Sequence, residues 1–129
     1  MKKNIILLIT LFFFVSCDPL FHDDFIIVNN CDKDISVSIV FSNSETQNFV
    51  VEYQTEYLFH NEEWVGGKSQ IEKIDRLFKT ITIKKGEIIS NINYANHQLW
   101  KKENVESSRK NQYYTNVRYY LIVNPEDFE

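Results

Sequence analysis

Glycine occurs three times in the 129-residue chain and proline twice. So few glycines leave no glycine-rich loop to cradle a phosphate on backbone N–H groups, and no G-x-S-x-G elbow to expose a serine nucleophile. Histidine is equally sparse. His22, His60 and His97 fall in no H-x-x-H or HExxH spacing, and Cys17 and Cys31 form no C-x-x-C. The zinc motifs that can be read from spacing are excluded. A membrane-spanning helix is missing too. The longest apolar run, residues 5–15, is broken by Thr10 and would reach about 16 Å as a helix, roughly half a bilayer core. Basic residues are outnumbered, 14 Lys and Arg against 18 Asp and Glu, which argues against nucleic acid as a partner.

That short apolar run, preceded by Lys2 and Lys3, has the form of a signal-peptide core. An ordinary secretory site needs small residues at −3 and −1, and cutting before Cys17 would place the bulky Phe14 at −3. The sequence Phe14-Val15-Ser16-Cys17 instead resembles the lipobox of bacterial lipoprotein precursors, departing from it at Phe14, where Leu is usual, and at Val15. The resemblance implies that residues 1–16 are a cleaved lipoprotein signal peptide. Cys17 then becomes the first mature residue, carrying a thioether-linked diacylglycerol and an amide-linked acyl chain such as palmitate. One acyl chain holds a protein at a membrane marginally, whereas two or three, at about 0.8 kcal/mol per CH₂, hold it durably. The alternatives are ordinary secretion with Cys17 left free, and an uncleaved anchor.

Cleavage there leaves 113 residues, enough for one domain, with 12 basic against 18 acidic residues and a formal charge of −6. An acidic domain does not adhere to anionic lipid through its own surface, so the acyl chains on Cys17 are the expected membrane contact. Residues 17–24 read as the lipidated cysteine and a short tether, and residues 25–129 as the folded domain. Acidic residues just after the cysteine direct sorting in opposite ways in different bacteria. The expected location is the bacterial envelope, at the outer membrane or cell surface rather than the inner membrane. With Cys17 acylated, Cys31 has no intrachain partner. Asp32 and Asp34 beside it disfavour a reactive thiolate.

From Phe25 onward the pattern is that of strands. Phe25-Ile26-Ile27-Val28 is a continuous apolar run suited to a strand buried on both faces. Ile35, Val37, Ile39 and Phe41 alternate with serines, and Phe49, Val51 and Tyr53 repeat the period of two. Residues 69–77 fit either a short helix, with Ser69 and Glu72 spaced as a capping box, or a ragged strand, and the β surroundings favour strand or irregular structure. Residues 78–84 and 87–94 read as a hairpin about Lys85-Gly86, with Ile88, Ile92 and Tyr94 inward. Residues 95–115 read as a long polar loop with one helical turn near His97. Val117, Tyr119, Leu121 and Val123 form one face of a final strand that Pro125 stops. Six or seven short strands without long helices predict an all-β fold, a single antiparallel β-sandwich of immunoglobulin-like type, with a small barrel as the alternative. The lipobox, the Thr80-Ile81-Thr82-Ile83-Lys84-Lys85-Gly86 hairpin and the terminal Tyr119-Tyr120-Leu121-Ile122-Val123 strand together resemble small uncharacterised bacterial envelope lipoproteins. That resemblance implies no activity.

Catalytic constellations are thin. Acidic pairs such as Glu52 and Glu56 carry no signal in a chain with 18 carboxylates. His60 with Glu62 or Glu63 and a distant His97 could form a metal site that would support a metal-assisted hydrolase, while His22-Asp23-Asp24 reads as a solvated tether rather than a ligand cluster. Aromatic residues favour binding instead. Trp100, Tyr113 and Tyr114 on the predicted loop are the candidate recognition platform, for a glycan or for another envelope protein. The expectation is a non-catalytic binding or accessory module without a cofactor. The alternatives are the hydrolase and a surface carbohydrate-binding lipoprotein.

Overall fold

Alternating apolar residues become strands wherever one face can be buried, and eight strands form among the described residues. The computed structural model describes residues 20–65, 70–106 and 114–129. Its strands are β1 (Leu20–Asn29), β2 (Ile35–Phe41), β3 (Thr46–Val51), β4 (Glu56–Val65), β5 (Phe78–Lys85), β6 (Ile88–Ile89), β7 (Trp100–Glu106) and β8 (Tyr114–Val123). They form two four-stranded sheets, ordered β4-β1-β8-β7 and β3-β2-β5-β6. All pairings are antiparallel except β1 with β8, which run parallel. Among the described residues, no helix is long and apolar enough to cross a membrane.

The inner faces of the two sheets share one core. Ile35, Val37 and Ile39 of β2 and Ile81 and Ile83 of β5 meet Phe25 and Ile27 of β1 and Val117, Tyr119 and Leu121 of β8. Phe25 lies at its centre. Its ring stacks on Tyr119 at 5.2 Å and meets Phe78 of the opposite sheet edge-on at 5.4 Å. Each ring removed from water contributes about 2–3 kcal/mol, and paired rings add to that. The run 25–28 is continuously apolar because β1 lies between β4 and β8 inside its sheet, and Ile26 is covered as well as Ile27.

The chain crosses between sheets at Asn29. Its buried side-chain amide donates to the carbonyls of Lys33 (2.9 Å), Val51 (3.0 Å) and Glu52 (3.2 Å), while its side-chain oxygen accepts the Cys31 N–H at 2.9 Å. These bonds satisfy the carbonyls of two separate turns with one buried side chain. Cys31 beside it is fully buried, and burial pushes its thiol pKa up although Lys85 opposes the shift.

Several expectations are corrected. The all-β, two-sheet architecture holds, but the strand order is not that of an immunoglobulin sandwich, whose sheets lack a central parallel pair of first and last strands. Nor does either sheet close into a barrel among the described residues. Residues 20–24, expected to be part of a tether, belong to β1. His22 and Asp24 face out, with His22 Nε2 2.8 Å from Asp24 and its Nδ1 3.2 Å from Glu63, while Asp23 turns into the interior. Neighbours on both sides run just as far and keep this polar stretch extended. Residues 71–77 are helical rather than extended. A 3-10 turn (Ile71–Lys73) runs into one turn of α-helix, α1 (Ile74–Leu77), whose Ile74 is fully buried. Ser69 lies outside the described residues.

Two further corrections concern the second half. The return strand after β5 is two residues long, and Ile88 is 52% exposed rather than inward. The turn itself is Gly86-Glu87, set by Lys85 pairing with Ile88, and Gly86 takes the positive φ of 60°. Ser90 then leaves the sheet, its hydroxyl donating to the Asp127 carbonyl at 2.9 Å and accepting from the Tyr94 hydroxyl at 2.8 Å. Where it is described, the supposed polar loop is largely strand. Residues 100–106 form β7, an edge strand whose Lys101, Lys102 and Glu103 are exposed. Charge on an edge strand discourages pairing with a second sheet, which explains why this strand lacks an apolar alternation.

Candidate functional site

Successive side chains on a strand point to opposite faces. At the start of β7 this rule removes Trp100 from the expected platform. Trp100 is 4% exposed, stacks on Phe78 with ring centres 5.9 Å apart, and donates its indole N–H to the Tyr94 carbonyl at 2.8 Å. It is a core residue. Tyr113 and the side chain of Tyr114 lie outside the described residues, as does Cys17.

The residues flanking Trp100 do reach the surface. Leu99 and Lys101 line an open cleft of about 500 Å³ at one end of the sandwich. A 3-10 turn (His97–Leu99) forms one wall, capped by the Asn96 side chain, which accepts the Gln98 N–H at 3.0 Å. Opposite it, a 3-10 turn (Pro125–Phe128) closes β8 with a reciprocal cap. The Asn124 side chain accepts from the Asp127 backbone, and Asp127 Oδ2 accepts the Asn124 N–H at 2.9 Å. Ile92 and Ile122 add aliphatic surface, and Asn30 donates across the rim to Asn124 Oδ1 at 3.4 Å.

The polar groups of this cleft differ in how far they are already used. The Tyr94 hydroxyl is committed to Ser90, and burial, the largest influence, pushes its pKa up to about 12. Asp127 is held by the cap. The Lys101 ammonium and the Gln98 side-chain amide have no hydrogen-bond or ion-pair partner among the described residues, and both are exposed within the lining. The cleft therefore presents free donors beside aliphatic side chains. No motif marks it in the sequence. The one legible part is the Asn124-Pro125-x-Asp127 cap, which identifies the turn and not the cavity.

The drawn metal site does not assemble. His60 Nε2 is 3.5 Å from Glu62, but Glu62 is bound by the Lys73 ammonium at 2.8 Å. The same ammonium lies 3.1 Å from the fully buried carboxylate of Asp23, which also accepts the Trp64 indole N–H at 3.1 Å. Lysine is the cation between these carboxylates. Among the described residues, no three His, Cys, Asp or Glu side chains gather as metal ligands.

His97 belongs elsewhere, clasping Asp75 of α1. Its backbone N–H donates to Asp75 Oδ1 at 2.8 Å, and its ring Nδ1 lies 2.6 Å from Oδ2. The backbone bond first, then the ring, lowers the Asp75 pKa below its ordinary 3.8. A depressed folded-state pKa contributes stability above the unfolded value, and that contribution is lost as pH falls through the folded value. A carboxyl-detected NMR titration should place Asp75 below 3.8. His97→Ala keeps the backbone N–H and should bring it only part of the way back; full recovery would mean that the ring alone is responsible.

No family model, curated protein or solved structure matches the chain.

Proposed function

We propose that the chain is a lipid-anchored bacterial envelope protein whose β-domain is a non-catalytic binding module, with the cleft beside Lys101 as its recognition site. The observation that carries the binding reading is the pair of uncommitted donors, Lys101 and Gln98, set beside Leu99 in an open cleft. The anchor rests on Phe14-Val15-Ser16-Cys17, and β1 begins three residues after that cysteine. Ten extended residues span about 30 Å, and the cleft adjoins the far end of β1 at Asn30. A ligand would therefore be met on the side away from the membrane. With Trp100 in the core it offers no stacking face to a sugar, and the donors and aliphatic surface of the cleft favour a protein partner in the envelope.

Fractionation and protease treatment of the native bacterium test the anchor and the location together. Wild-type protein should stay with the membrane fraction and be digested in intact cells, as an outer-membrane, surface-facing protein would be. Cys17→Ala should move to the soluble fraction. Membrane retention of Cys17→Ala would refute the lipid anchor, and protection of the wild type in intact cells would place the domain in the periplasm.

A further inference from the structure

The cleft has a charge asymmetry that selects among ligands. Its acid, Asp127, is engaged by the Asn124 N–H at 2.9 Å and faces the Tyr94 hydroxyl. Its base, Lys101, is not engaged by any carboxylate among the described residues, whereas Lys73, Lys84 and Lys85 each have one within 4 Å. A ligand can therefore gain a new charge-assisted bond at Lys101 more readily than at Asp127, and such bonds are about twice as strong as neutral ones. In the same lining, Leu99 is 43% exposed and Ile122 is half-buried, so the cleft also rewards an aliphatic group. Side-chain amides complete the lining. Gln98, Asn30 and Asn124 offer both donors and acceptors, which is what a peptide group needs.

From this arrangement we propose that the cleft captures the carboxyl terminus of a polypeptide that ends in an aliphatic residue. The terminal carboxylate bonds to the Lys101 ammonium, the aliphatic side chain lies against Leu99 and Ile122, and the last peptide group pairs with the amides. This assignment rests on the cleft being the recognition site proposed above.

Amide NMR shifts of the full chain in detergent micelles, titrated with three probes, test it. N-acetyl-leucine should move the resonances of residues 98–101 and 122–124 saturably. N-acetyl-leucinamide lacks the charge, and 4-methylpentanoate lacks the peptide group; each should bind about tenfold more weakly or worse. Lys101→Met should weaken N-acetyl-leucine by a similar factor with the remaining spectrum unchanged, and Lys101→Arg should restore most of the affinity. Equal binding of N-acetyl-leucine and its amide, or indifference to Lys101→Met, would overturn the carboxylate assignment and leave the cleft as a binding site. Equal binding of 4-methylpentanoate would make the ligand a free aliphatic acid and overturn the peptide assignment. Shifts from none of the three would overturn both this proposal and the cleft as the recognition site.

Discussion

Trp100→Ala is expected to lower the stability of the domain by about 4 kcal/mol, roughly 15 °C in Tm. The indole is stacked on Phe78, meets Phe25 edge-on at 6.2 Å and lies 6.3 Å from Phe59. Its removal opens a cavity at the junction of the two sheets, where neither sheet can move inward without separating from its own partners. The N–H bond to Tyr94 is a smaller part of the cost. Trp100→Phe keeps most of the ring contact and leaves the Tyr94 carbonyl unpaired, so about 1–2 kcal/mol should be lost. Urea denaturation of the two variants measures both quantities. If Trp100→Ala cost less than about 1 kcal/mol, the indole would have to be a surface group after all.

Lys73→Met is expected to cost about 3 kcal/mol, because it withdraws the ammonium from a carboxylate that has no exposed surface. Asp23 is held at the point where β1, β4 and the helical segment meet, and Lys73 also covers the Trp64 ring at 4.6 Å from its centre. Lys73 is itself one-quarter exposed, which limits the loss to the lower part of the range for buried pairs. The double variant Asp23→Asn with Lys73→Met should be more stable than Lys73→Met alone, since no charge is then buried without compensation. A double-mutant cycle in urea reads this directly as a coupling energy of about 1–2 kcal/mol. Strict additivity would show that water already screens the pair.

Period-two patterning made individual strands legible. Ile35, Val37, Ile39 and Phe41 all face the core, as do Val117, Tyr119, Leu121 and Val123. A pattern of this kind reports which face a residue occupies and carries nothing about which strand lies alongside. The parallel pairing of β1 with β8 joins segments more than 90 residues apart, and neither segment marks the other. Trp100 shows the same limit at the scale of one residue. Its segment reads as a polar loop because the charged run after Trp100 conceals an edge strand, and without the strand the alternation that turns Trp100 inward and Lys101 outward is invisible. Asp23 and Lys73 were hidden for another reason. Fifty residues separate them, and a buried ion pair leaves no spacing rule behind.

The parallel pair also determines how the domain would bear mechanical load. The anchor proposed above would pull on β1 from its N-terminal end at Leu20, and a partner in the proposed cleft would pull on the region where β8 ends at Val123. Force between those two points runs along the strand axes. It loads the ten rungs from Leu20 with Tyr114 to Asn29 with Val123 together, in shear, and not one after another as peeling of an edge strand would. Forced unfolding is governed by the barrier to rupture and not by equilibrium stability. By that measure the domain would resist a pull between the two ends of this strand pair better than its modest size alone would indicate.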